Sequence, residues 1–193
     1  AMLMAILYGP AVAGWFTFGQ RLLELPVGLL SVSAGSVYLG ELRSRDADGI
    51  RRLFTRTVRR FLVLGLLGML PLLLLGPQLF ALVFGEPWRM AGVMVQYLVP
   101  VQLARFVVLP VTQTLNLFGR QELHLVSAML NLAALGLSFA LGWWQELSPL
   151  VTLLLFSLGS AAAYLVYLGA AWRVIRHAVA AGPGGGPAPP DPS

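Results

Sequence analysis

The sequence predicts an all-α protein, a polytopic bundle of transmembrane helices with about five full spans and the end of a sixth. Three observations lead there. Of 193 residues, 58% are hydrophobic and only 11% are charged, against roughly 25% charged in a soluble domain. Mean hydropathy is +0.78. The apolar residues also gather in runs of about 20 or more, the length that crosses a hydrocarbon core about 30 Å thick as a helix. Cysteine is absent, which excludes disulfides, thiolate metal sites, iron–sulfur clusters and a cysteine nucleophile.

The chain opens on Ala1–Tyr8, apolar but too short to cross, which reads as the outer end of a helix whose beginning lies upstream. No basic region precedes it and no small-residue cleavage site follows, so it is not a signal peptide. Full spans are expected at Trp15–Leu42, Val58–Phe84, Ala91–Phe118, Leu123–Trp143 and Leu150–Val174. Turn chemistry separates them at Tyr8-Gly9-Pro10, Gly85-Glu86-Pro87, Gly119-Arg120 and Ser148-Pro149. Residues 1–177 thus form the membrane body. Residues 178–193, ending in GPGGGPAPPDPS, form a Gly/Pro-rich tail expected to be disordered because it has nothing to bury.

All 13 basic residues are arginine, and against 8 acidic residues they leave a net charge of +5. Assigning the loops alternately to two sides puts ten of them on one side (Arg43, Arg45, Arg51, Arg52, Arg56, Arg59, Arg60, Arg120, Arg173 and Arg176) and Arg89 alone on the other. The positive-inside rule makes the arginine side cytoplasmic, together with the C-terminus. Trp88, Trp143 and Trp144 then mark the outer boundary and Trp172 the inner one.

Seven arginines fall within Arg43–Arg60, where Ile50, Leu53, Phe54, Thr57, Val58 and Phe61 follow helical spacing after Asp46 or Asp48 as N-cap. This basic amphipathic segment is expected to lie on the anionic cytoplasmic leaflet, with anionic membrane lipids as partners. Nucleic acid is not expected as a partner, since there is no room for a water-exposed basic domain.

Two arginines remain inside spans, Arg21 and Arg105. An arginine at a span centre costs about 2.5–3.5 kcal/mol on insertion scales, so each must face protein, water or an anionic cargo. Gln102, Arg105, Leu109, Thr112 and Asn116 advance by threes and fours and share one helix face, with Gln113 at its flank. Pro100 and Pro110 interrupt the same helix, which is tolerated where neighbours or cavity water satisfy the freed carbonyls. A second stripe runs through Thr17, Arg21, Glu24, Gly28, Ser31, Gly35 and Tyr38, with Gln20 beside it and Pro26 following. Arg21 and Glu24 form either an ion pair or part of a cavity wall. Arg105 either pairs with an acid from another helix or meets the cargo.

Milder stripes at His124, Ser127, Asn131, Ala134 and Ser138, and at Ser157, Ser160, Tyr164 and Tyr167, read as close helix packing through small residues. His124 reads as interfacial and His177 as surface. Val58–Phe84 has no polar stripe and is expected to be the most lipid-exposed span.

No GxSxG, HExxH, Walker A or GxGxxG occurs in a suitable context. Neither an enzyme nor a metal or cofactor is expected. A channel would need a filter loop or a ring of like charges. Guanidinium and amide groups around a cavity suit an anionic head group rich in hydroxyls, since guanidinium grips phosphate bidentately, and broken helices allow rocking between two open forms.

The stretch Ala13-Gly14-Trp15-Phe16-Thr17-Phe18-Gly19-Gln20-Arg21-Leu22-Leu23-Glu24-Leu25-Pro26 resembles a segment of bacterial polysaccharide flippases, the Wzx-like branch of the MOP (MATE-like) exporter superfamily. Three later segments are similar in the same order: the Arg51–Arg60 run, Phe84-Gly85-Glu86-Pro87-Trp88-Arg89-Met90-Ala91-Gly92, and Leu109-Pro110 with Leu117–Gln121. The resemblance implies the second six-helix lobe of a two-lobe transporter in the bacterial inner membrane, with the N-terminal lobe of the same protein as its partner. The implied activity is moving an undecaprenyl-pyrophosphate-linked oligosaccharide across that membrane for polysaccharide biosynthesis. Arg21 is the only residue carried over from the family pattern, as a cavity cation. Arg105, Gln20, Glu24, Gln102, Gln113 and Asn116 are candidate substrate-binding residues from the stripes alone. A MATE-like multidrug or cation exporter and a non-transporting membrane scaffold for glycan-assembly enzymes are the alternatives.

Overall fold

A computed structural model describes residues 2–43, 47–112 and 122–180, and among them every regular element is a helix. In chain order these are α1 (Met2–Tyr8), α2 (Pro10–Arg43), α3 (Ala47–Phe84), a 3-10 turn at Glu86–Trp88, α4 (Arg89–Val108) passing into a 3-10 turn at Leu109–Val111, α5 (Glu122–Trp144) and α6 (Pro149–Ala180). Four stretches, Asp48–Phe84, Glu86–Val111, Glu122–Trp144 and Pro149–His177, are long and apolar enough to cross a membrane. The protein is membrane-embedded. α2, at 34 residues, reaches about 51 Å at 1.5 Å per residue.

The turns follow their local chemistry. Gly9 joins α1 to α2 in one residue because its φ of +90° is open to glycine, and Pro10 starts the next helix. Tyr8 and Thr152 hydroxyls bond at 2.6 Å, which ties α1 to the start of α6 and leaves Met4 fully buried. Pro149 opens α6 at the position that needs no N–H, and the Ser148 hydroxyl accepts a 3.4 Å bond from the Val151 N–H. α2, α5 and α6 run past the expected spans at both ends and α3 at its start, since hydrogen bonding inside a helix does not stop where the apolar run does; α4 as a regular helix ends at Val108, and residues 113–118 of the expected Ala91–Phe118 span lie outside the described residues. α6 continues three residues into the expected tail, to Ala180.

α4 is the central helix, packed against α2, α3 and α6. Over their most apolar windows α4 is 56% buried and α3 only 17%, the lowest of the four membrane-length helices. α3 is therefore the lipid-facing helix that its unbroken leucine composition predicts. Its close approach to α4 runs through Gly76 and Gly92. A Cβ on Gly92 would lie 2.4 Å from the Gly76 carbonyl oxygen, and one on Gly76 2.8 Å from the Gly92 oxygen.

Side chains bond backbone groups of neighbouring helices, and at Pro77 such a bond repairs a proline interruption. Pro77 has no N–H for the carbonyl of Leu73 one turn earlier, and Gln96 Nε2 on α4 donates to that oxygen at 2.7 Å. Beside Pro100, the Val101 N–H donates to Ser157 Oγ on α6 at 3.2 Å. Gln96 and Ser157 thus hold helices together by satisfying backbone that hydrocarbon cannot.

The basic segment departs from expectation. It is not a separate helix but the beginning of the 38-residue α3. Its apolar stripe faces protein rather than lipid: Ile50, Leu53 and Phe54 are buried with Val108, Val111, Tyr167, Ala171 and Ile175. The reason is length. A continuous helix of about 57 Å carries the stripe past the apolar zone, where the ends of α4 and α6 cover it. Arg51, Arg52, Arg56, Arg59 and Arg60 remain exposed on the other side.

Gly92→Val is expected to lower stability toward denaturant in detergent by roughly 1–3 kcal/mol through overpacking. Gly68→Val, where no heavy atom lies within 4 Å of the added carbon, is expected to change it by much less. Equal effects would show that the α3–α4 approach is not tight.

Candidate functional site

The polar residues of α2 and α4 meet through one carboxylate. Glu24 Oε1 accepts from Arg105 Nη1 at 3.2 Å and from Gln20 Nε2 at 2.9 Å. Gln20 and Glu24 are four residues apart and share a helix face, whereas Arg21 points away from it, exposed and with no ion pair among the described residues. The sequence leaves Arg21 or another helix's acid open as a partner; the structure pairs Glu24 with Arg105 across α2 and α4. Both side chains of that pair are 37% exposed, so neither is sealed in the core.

Depth follows from neighbours. Phe106 stacks on Phe61 at 5.0 Å between ring centroids, and Phe61 directly follows Arg60. Arg105 therefore lies about one turn inside the arginine-rich end of the bundle, not at mid-span as the sequence spacing suggests. The apolar stretch Glu86–Val111 has its centre nearer Leu98, and the regular helix gives way to a 3-10 turn at Leu109–Val111.

Next to this pair is a cavity of about 760 Å³ whose polar lining comes from Gln20, Thr112, His124, Ser127, Asn131, Tyr164 and Tyr167. Its wall on α5 runs from His124 to Phe139, about 22 Å along the helix axis. At the arginine end the Tyr167 hydroxyl bonds His124 Nε2 at 3.0 Å. Asn131 donates to the Ser127 carbonyl at 2.9 Å, which fixes the amide while leaving its oxygen toward other partners. At the opposite end Phe139 and Phe156 close the wall.

The site thus gathers some of the expected residues and not others. Gln20 belongs both to the ion-pair cluster and to the cavity wall. Gln102 is 3% exposed, buried away from the cavity, with its Oε1 unbonded. Gln113 and Asn116 lie outside the described residues. The α5 face, expected to be packing, instead supplies much of the polar wall. The signal was present in the helical spacing of His124, Ser127 and Asn131, but small polar residues at that spacing more often mark helix contacts. The α6 stripe divides: Ser157 and Ser160 are buried and Ser157 bonds α4, whereas Tyr164 and Tyr167 line the cavity.

Helices long enough to span a bilayer frame an open cleft beside the ion pair, its wall mostly apolar with Gln20, Thr112, His124, Ser127 and Asn131 set into it, and this defines a helical membrane protein with a partly polar cleft. Compared with known proteins, the chain matches no family model, no curated protein and no solved structure.

In a double-mutant cycle, Glu24→Gln and Arg105→Gln are each expected to destabilise the protein, and the pair together by less than their sum. A coupling of about 0.5–3 kcal/mol is expected for residues in direct contact. Strict additivity in denaturant titrations would show that the two charges do not interact.

Proposed function

We propose that the chain forms one lobe of a transporter that moves a lipid-linked oligosaccharide across the bacterial inner membrane by alternating access, the arginine-rich face being cytoplasmic. The carrying observation is the cleft of about 760 Å³ in whose largely apolar wall Gln20, Thr112, His124, Ser127 and Asn131 place amide, hydroxyl and imidazole groups. Such groups are costly against hydrocarbon and useful against sugar hydroxyls. α2 supplies a fifth span in this reading.

In the proposed mechanism the phosphate-bearing head group enters at the arginine end, near Arg105. There the guanidinium exchanges the Glu24 carboxylate for pyrophosphate, an acceptor of the same charge sign and suited to bidentate bonding. Gln20 bonds Glu24 and also faces the cavity, so it senses both the ion pair and the cargo. Asn131, Ser127 and Thr112 hydrogen-bond the sugar. Arg21, exposed on the outer side of α2, is assigned to a later stage, when rocking of the lobes brings that face to the cargo.

A cation exporter needs an uncompensated acid in its path. Glu24, the acid deepest in α2, is already bonded by Arg105 and Gln20, which favours the anionic cargo.

In cells producing the complete transporter, Arg105→Ala and Arg21→Ala are each expected to reduce surface glycan export by more than about tenfold, equivalent to about 1.4 kcal/mol, at unchanged membrane abundance. Unchanged export in both variants overturns the site assignment. Resistance to cationic dyes without a glycan defect favours the exporter, and a glycan defect confined to deletions in Arg43–Arg60 favours the scaffold.

A further inference from the structure

A second concavity shares no lining residue with the cleft beside the ion pair. It is a groove of about 1240 Å³ at the start of α3, lined by Arg51, Arg52, Arg56, Arg59 and Arg60, with Trp172 of α6 as an opposing wall. Arg51 lies over the Trp172 ring at 6.0 Å, a cation–π contact that holds the guanidinium at the rim. The other four make no ion pair among the described residues. Among the described residues, the acids near the groove are Asp48, exposed in the first turn of α3, and Glu41, which borders an adjoining groove that shares Arg56 and Arg60. Five cations against these two leave the groove strongly positive.

The helix that carries the groove continues into the membrane without a break. Along one face Arg52, Arg56 and Arg59 are succeeded at helical spacing by Val63, Leu66 and Leu70, every one of them exposed. Polar and apolar halves of a single surface therefore meet between Arg60 and Leu62. That order matches a lipid standing beside α3, with phosphate at the arginines and acyl or prenyl chain along the leucines. The five arginines extend over about 14 Å of helix, more than one phosphate monoester requires.

From this arrangement we infer that the groove is a binding site for a lipid head group carrying two phosphates. Two sources share that chemistry: a diphosphatidyl phospholipid of the bilayer, and a polyprenyl diphosphate of the kind proposed as cargo. The site stands on the α3 surface and needs no transport through the cleft, so its failure and the failure of the transporter reading are distinguishable.

The test is lipid retention by purified full-length protein in native mass spectrometry, with diphosphatidylglycerol, phosphatidylglycerol at twice the concentration, and phosphatidylcholine as probes. Diphosphatidylglycerol is expected to be retained at least about tenfold better than either other lipid. Each arginine removed is expected to weaken retention about fivefold near the membrane surface. Arg56→Gln alone reads one such step, and Arg52→Gln/Arg56→Gln/Arg59→Gln the compound loss, while Arg173→Gln/Arg176→Gln leaves retention unchanged. Competition then separates the sources: displacement by polyprenyl diphosphate below the concentration of diphosphatidylglycerol assigns the groove to cargo, and the reverse order assigns it to bilayer lipid, each supporting a two-phosphate site. Equal retention of phosphatidylglycerol, unchanged retention in Arg56→Gln and the triple variant, or equal loss in the Arg173/Arg176 control overturns it.

Discussion

In hydrocarbon there is no water to complete a broken hydrogen bond or screen a charge, and this one constraint organises the molecule. It explains why the described residues are helical, since a helix satisfies its own backbone. It also explains where the exceptions sit. Pro77 frees the Leu73 carbonyl, and Gln96 reaches across from α4 to occupy it. The Val101 N–H beside Pro100 finds Ser157 of α6. Arg105, once inside the apolar zone, is bonded to Glu24 of α2. These bonds run from one helix to another and help to fix the bundle around α4.

The same constraint sets the division between packing and function. Thr152 and Ser157 are buried and bond other helices, Thr152 to Tyr8 of α1 and Ser157 to Val101 of α4. His124, Ser127 and Asn131 face the cleft, although their spacing in the sequence has the same form. Partners within the bundle account for the first group. In the second group His124 and Asn131 bond Tyr167 and the Ser127 carbonyl, and the Asn131 amide oxygen keeps hydrogen-bonding capacity toward the cleft, which is the physical basis for the proposal of a polar cargo.

Much of the architecture was legible in the sequence. The long apolar runs mark the helices, and Gly9, Gly85 and Ser148-Pro149 mark their joints; the leucine content of α3 foretells its exposure. Less legible were relations between helices. Spacing put Glu24 one turn from Arg21 and could not show that Arg105, distant in sequence, takes the carboxylate instead. The stripe of Ile50, Leu53 and Phe54 was visible, but an apolar face looks the same whether lipid or the end of α6 covers it. Gln102 belongs to the polar face of α4 by position, yet neighbours in three dimensions bury it.

The central claim is that the cleft beside the Gln20–Glu24–Arg105 cluster is open to water and cargo. Since the chain has no cysteine, single cysteines can be introduced without background. Ser127→Cys and Asn131→Cys, on the cleft wall, are predicted to react with a membrane-impermeant maleimide from one side of the membrane, while Leu67→Cys on the lipid-facing surface of α3 stays unreacted. Labelling at Leu67 equal to that at Ser127, or none at Ser127 and Asn131 from either side, would contradict the account.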